Sequence, residues 1–210
     1  MNKSKHAHSF FRLDLVSLIQ TDLFRYCGQT SARLFLKHFL LTPGFKITCY
    51  IRICKRFRKS ACLKYTLYPL MKLLYIRATV KYGISIPFEC QLGKGFYIGH
   101  FGGIVVHHKA IIGDNCNISH GVTIGTSSRG MKKGWPTIGD HVYIGPGAKI
   151  FGKITIGNNA AIGANCVVTK DVPENATVAG VPGVVISYQG SEGYIIRTEH
   201  HVPNKKSSIN

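Results

Sequence analysis

Acidic residues are scarce in this chain: nine Asp and Glu stand against 27 Lys and Arg in 210 residues, a formal net charge of +18. An excess of this size makes nucleic acid, anionic lipid or an acidic substrate the first partners to weigh. The scarcity is uneven. Residues 1–82 hold 16 basic and two acidic side chains, Asp14 and Asp22, whereas residues 83–210 hold 11 and seven. No uncharged apolar run approaches the roughly 18 residues that would mark a membrane span. The opening MNKSKHAHSFFRLDL has neither an apolar h-region nor a small-residue cleavage site, so it does not read as a secretory signal. The seven cysteines form no CxxC pair and are odd in number, which reads as reduced thiols in a cytoplasmic protein. With 45% hydrophobic and 17% charged residues the chain is too apolar for a disordered basic protein. Nucleic acid ranks low as a partner, because no DNA-reading helix and no RNA motif with stacking aromatics is present.

What is present divides near residue 83. Upstream, residues 9–26 place Phe11, Leu15, Leu18, Ile19 and Leu23 at helical spacing. Pro43-Gly44 marks a turn. Residues 45–59 and 61–82 follow as basic amphipathic segments, the second kinked or interrupted at Pro69. This region, 1–82, reads either as an ordinary helical cap with solvated cations or as a surface for anionic lipid or an anionic substrate.

Downstream an aliphatic residue recurs every six positions. The register runs Ile86, Leu92, Ile98, Ile104; after a two-residue slip, Ile112, Ile118, Ile124; and after a longer gap, Ile138, Ile144, Ile150, Ile156, Ile162, Val168. Glycine often follows the aliphatic, and a small residue such as Ala110, Cys116, Ala148, Ala160 or Cys166 often lies four positions on. A period of six suits neither a helix nor a hairpin array. It suits coils of three short strands whose aliphatics point inward and whose edges complete one another's hydrogen bonds. About five coils fit between residues 84 and 178. Cys90, Cys116 and Cys166 share the small inward slot and read as packing residues.

The interruptions are where function is expected. One is the slip at Gly103–His108. The other is residues 126–137, TSSRGMKKGWPT, with Arg129, Lys132, Lys133 and the single tryptophan, Trp135. Counting repeats across the slip, His100 and His120 fall on the same corner of successive coils, roughly 5 Å apart along the axis. Two histidines at one corner are candidates for proton transfer.

The stretches LGKGFYIGHFGGIVV (92–106), NISHGVTIG (117–125), PTIGDHVYIGPGAKIFGKITIG (136–157) and AIGANCVVTKDVPENATVAGVP (161–182) resemble serine acetyltransferases and their relatives, including the branch found in capsule and lipopolysaccharide assembly. The resemblance implies a mainly β fold, a left-handed parallel β-helix of hexapeptide repeats over 83–186; the α-helical region 1–82 precedes it and a C-terminal tail, 187–210, follows, in which residues 190–210 read as loosely ordered. It implies acetyl-CoA as co-substrate, a homotrimer with sites between neighbouring β-helices, and a general base at His100; His120, by its place on the next coil, is the second catalytic candidate. For the cofactor it points to Gly125, Gly145, Ala164, Thr169 and Lys170. Metal-binding relatives, the γ-class carbonic anhydrases, carry His-x4-His; this chain has no such pair, and His107 and His108 are expected to diverge, so no metal is expected.

At the acceptor the resemblance breaks. The serine enzymes have an aspartate where this chain has Gly99, a second aspartate where it has Ser85, and an Arg-His pair where it has Gly134-Trp135. An amino acid needs paired charges for its ammonium and carboxylate. Ser85, Gly99 and Trp135 therefore suggest a sugar hydroxyl of a surface polysaccharide or its precursor, with serine O-acetylation of cysteine biosynthesis as the alternative. The protein is expected in the cytoplasm, with the basic region 1–82 holding it near anionic lipid at the inner face of the membrane or near a polyanionic glycan.

Overall fold

The computed structural model describes residues 14–200. Four helices come first: α1 (Leu15–Cys27), α2 (Ala32–Leu41), α3 (Pro43–Arg58) and α4 (Leu67–Tyr82). The helix expected over 9–26 is α1, and residues 9–13 of that expectation lie outside the described residues. Asp14 caps it by accepting the Ser17 N–H at 2.7 Å, and Gly28 ends it in left-handed backbone. Residues 32–41, where the sequence pattern predicts no element, form α2, which starts where Ser31 accepts the Leu34 N–H. The two prolines act differently from expectation. Pro43 opens α3, where its missing N–H has no helical partner to lose. Pro69 lies in the first turn of α4, so it helps begin the helix and does not kink it.

From residue 84 the chain winds into a parallel β-helix whose strands, numbered along the chain, form three sheets. Sheet A holds β1 (Ile84–Ser85), β4 (Ile104–Val106), β7 (Thr123–Gly125), β10 (Lys149–Phe151) and β13 (Val167–Val168). Sheet B holds β2 (Gln91–Leu92), β5 (Ile111–Ile112), β8 (Thr137–Ile138) and β11 (Thr155–Ile156). Sheet C holds β3 (Tyr97–Ile98), β6 (Asn117–Ile118), β9 (Tyr143–Ile144), β12 (Ala161–Ile162), β14 (Thr177–Ala179) and an antiparallel β15 (Val184–Ser187). The five strands of sheet A give the five expected coils. Aliphatics pair with aliphatics across coils, as in Ile98↔Ile118↔Ile144↔Ile162, and all are buried. Cys90, Cys116 and Cys166 fill the small inward slots with no exposure. With strands of two to four residues and a four-helix cap, "mainly β" understates the helices.

The first coil has no neighbour below it, so its backbone groups need other partners. The helices supply them. Arg52 of α3 donates to the carbonyls of Leu92 and Gly93 and to the Asp22 carboxylate, at 3.0 Å from Nε. Asp22 of α1 in turn accepts the Phe96 N–H at 2.9 Å. The Tyr26 hydroxyl accepts the Ile98 N–H and donates to the Ile98 carbonyl. Arg25 donates to Gly95 O and to the Asn117 side chain. Gly44 of α3 lies against the Ile98 backbone, where a Cβ would collide with the carbonyl.

The stretch expected as a loosely ordered tail folds back, through His200, onto the coils and the cap; residues 201–210 of that expectation lie outside the described residues. Ser191 donates to His141 O, Tyr194 stacks on Tyr143 at 4.4 Å, and the Ile196 carbonyl accepts from Arg25. Arg197 donates to Tyr26 O, so the end of this segment touches the cap.

Arg52→Met removes the partner of a buried carboxylate and of two carbonyls. Urea unfolding should show a loss on the order of 3–5 kcal/mol at neutral pH. Burial pushes the Asp22 carboxyl up and Arg52 pulls it back. Without Arg52 only the upward push is left among the larger effects, so the neutral acid is favoured in the fold. The contribution of Asp22 to stability should then be fully present in acid and be lost as pH rises through its folded value.

Candidate functional site

The β-helix has three corners, and the chain crosses each once per coil. Between sheets C and A lies the histidine corner. Because Ile98 pairs with Ile118 and Ile118 with Ile144, the residues two places on are stacked: His100, His120, Pro146 and Ala164. The two imidazoles are exposed and face edge to plane, with centroids 5.9 Å apart. Glycines make the turn possible. Gly103, Gly121 and Gly147 all have left-handed backbone, and a Cβ on Gly121 would lie 3.3 Å from the Gly147 Cα. Gly121 N–H donates to Gly102 O, Gly147 N–H donates to His120 O, and the Lys149 ammonium binds Gly121 O. The Lys149 contact was not anticipated. Its sequence signal is slight, since lysine is ordinary on an outward strand position.

No Asp or Glu lies on this corner in any coil, from 99–103 through 119–121, 145–147 and 163–165 to 179–183. At Gly99 this is not a packing requirement: an added Cβ would meet only the Tyr97 ring, at 3.4 Å and beyond, and the backbone is not left-handed. Ser85 is exposed on β1, beside the same corner, where Gly83 O accepts the Ile104 N–H.

The loop corner lies between sheets A and B. Residues 126–136 form a small hairpin there, closed by paired bonds between Ser127 and Gly134. Gly134 has φ +137, and a Cβ would press on Lys153, so this loop shape excludes a larger residue. Trp135 stacks near-parallel on His107, centroids 6.0 Å apart, with the Lys109 ammonium 4.8 Å from its ring. His107 and His108 do not diverge as expected; their rings lie 4.4 Å apart. Burial, with His108 and Lys109 nearby, pulls the His107 imidazole below its ordinary value. Lys132 reaches from the loop to Asp171 at 2.7 Å and, with the Thr155 N–H, holds that carboxyl low. Thr169 and Lys170 are exposed on this corner, and Gly125 lies against Phe151 where the loop begins.

One chain therefore does not assemble all the expected site residues. His100, His120, Gly99, Gly145 and Ala164 share the histidine corner. Trp135, Gly125, Thr169 and Lys170 share the loop corner, at the other end of every sheet A strand. A recess of about 670 Å³ between α1, α3 and sheet B lies on the face opposite the histidines. Among the described residues, no group of three His, Cys, Asp or Glu side chains has a metal-holding arrangement.

The Hexapep family model, bacterial transferase hexapeptide (six repeats), matches residues 136–170. The serine acetyltransferase of Bacillus pumilus is 35% identical over 162 residues, 77% of this chain and 72% of that one. The chain belongs to the serine acetyltransferase family. Its β-helix is accordingly the left-handed one of hexapeptide proteins. The Synechococcus elongatus serine acetyltransferase is 44% identical over 108 residues, 51% of this chain; the chain spans only 44% of that relative's length. Serine acetyltransferase from Brucella abortus strain S19 superposes with a TM-score of 0.68 at 33% identity, covering 82% of this chain and 69% of that one. The structure of that enzyme in complex with coenzyme A superposes at 0.66.

Two outcomes test the site's construction. Gly121→Ala forces a side chain into left-handed backbone against Gly147, and its thermal midpoint should fall by an amount matching roughly 1–2 kcal/mol. Burial pushes the Cys90 and Cys116 thiols up to about 12. Alkylation of the native protein at mildly alkaline pH should label exposed Cys62 first and leave those two untouched until denaturant is added.

Proposed function

We propose that this protein is an acetyl-CoA-dependent O-acetyltransferase that moves the acetyl group directly from the thioester to an acceptor hydroxyl, with His100 as general base. The observation that carries this reading is the exposed His100–His120 stack on a corner of a serine acetyltransferase-family β-helix. An imidazole nitrogen of His100 takes the hydroxyl proton as the acceptor oxygen attacks the thioester carbonyl. The carbon–sulfur bond breaks, and the imidazolium returns the proton to the departing thiolate. No enzyme nucleophile is required, which agrees with the inward burial of Cys90, Cys116 and Cys166. With no carboxylate on the corner, His120 is the neighbouring side chain able to orient His100. Free cysteines throughout are consistent with a reducing cytoplasm.

The split between the two corners supports a homotrimer in which the histidine corner of one copy faces the loop corner of the next. Gly145 and Ala164 would then line one side of the coenzyme A groove. Gly125 and Thr169 would line the other, with the Lys170 ammonium available to a phosphate. The CoA complex of the Brucella enzyme supports the same co-substrate here.

For the acceptor, the names of these relatives support L-serine over the polysaccharide sugar suggested by the sequence. A sugar hydroxyl is kept as a second reading on one observation: the corner offers no carboxylate for an ammonium, and the loop offers Trp135 beside His107. Acetyl-CoA turnover with thiol release should be measured against L-serine, nucleotide sugars and glycans. His100→Ala should lose about 10²–10⁴-fold in kcat with whichever acceptor is used. Full activity in His100→Ala, with loss in His120→Ala, would overturn the base assignment. Gly99→Asp has room to fold; if it raises turnover of L-serine, the wild-type pocket is short of the acid that a serine acceptor needs.

A further inference from the structure

The outer face of α4 has no partner among the described residues, although it is apolar. Tyr68, Met71, Tyr75, Ala78 and Tyr82 form the inner stripe, at spacings of three and four, and pack on the core. Leu70, Leu73, Ile76 and Val80 lie about half a turn away and are exposed, Val80 by 80%. A helix apolar on both faces is normally buried on both.

The surrounding charge indicates what covers it. Arg77 stands within the outer row, and Lys72 and Lys81 border it; all three are exposed. At the start of the helix Tyr65 is 77% exposed, with the Lys64 ammonium 5.2 Å from its ring. Residues 1–82 contain only two acids. Asp22 is buried against Arg52, and Asp14 caps α1, so neither belongs to this face. Leucines interleaved with cations, a border of lysines and an aromatic with a polar tip are the makeup of a helix lying in a lipid interface. A second copy meeting this face symmetrically would set Arg77 and its flanking lysines against their own kind, with no carboxylate between them.

We infer that the outer face of α4 docks on an anionic lipid bilayer, with Leu70, Leu73, Ile76 and Val80 entering the headgroup boundary and Lys72, Arg77 and Lys81 contacting lipid phosphates. No helix among the described residues is long and apolar enough to cross a membrane, so the contact is peripheral. It does not depend on which acceptor the protein uses.

The test uses the full chain, because the cap closes the β-helix and cannot be removed cleanly. Co-sedimentation with phosphatidylcholine vesicles, with and without phosphatidylglycerol, should show binding only with the anionic lipid, weakened by salt. The double variant Leu70→Glu, Leu73→Glu should bind at least about tenfold more weakly, and Arg77→Glu with Lys81→Glu at least about thirtyfold, the loss expected from removing two cations before the repulsion of the new carboxylates is added. The second variant keeps the test decisive if the first fails to fold by circular dichroism. Equal binding to neutral vesicles, or unchanged binding by the folded variants, overturns the proposal. So does a loss of oligomer size by light scattering with lipid binding intact, which would make the face a contact between copies.

Discussion

A stack of parallel coils has an open bottom edge, and everything above it depends on how that edge is closed. In this protein the closure is made by polar side chains from two helices. Asp22 and Arg52 are nearly inaccessible and bind each other, yet each also binds first-coil backbone: the Phe96 N–H on one side, the Leu92 and Gly93 carbonyls on the other. Tyr26 serves Ile98 in the same way. A buried ion pair alone is weak evidence for stability. Here the pair takes the place of a missing strand, and so fixes where the first coil begins and the height of every later corner.

From that base, periodicity builds the candidate site. A residue placed two positions after an inward aliphatic returns to the same corner one coil later. His100 and His120 are neighbours for that reason alone. The same arithmetic places glycine, asparagine or histidine in left-handed backbone at the third corner, where Gly95, Asn115, His141, Asn159 and Asn175 follow one another. Asparagine tolerates that backbone better than most residues, and its amide can also bond between coils, as Asn159 does to Asn175.

The repeating parts were legible in the sequence because their cause is local and recurs every six residues. The coils, the inward cysteines and the histidine stack all followed from counting. What was not legible depends on partners distant in sequence. Arg25 and Arg52 looked like two more cations in a basic region, and only the fold shows them turned inward. Pro43 and Pro69 read as breaks because proline signals both a helix start and an interruption. The loop position was clear from the lost register, but not that Trp135 rests on His107, on the opposite end of sheet A from His100. That separation keeps His100 and Trp135 apart within one chain.

The returning segment at residues 188–197 has a consequence for how the chain is made. A solenoid whose repeats touch only their neighbours can settle coil by coil as it emerges from the ribosome. Here Arg25, from the first helix, binds the Ile196 carbonyl, and Tyr26 O accepts from Arg197. Contacts spanning 171 positions cannot form until those late residues have been synthesised and released. The base of the stack thus carries a fastening supplied from beyond the last coil, and a chain made only as far as that coil would hold its repeats on a cap not yet secured.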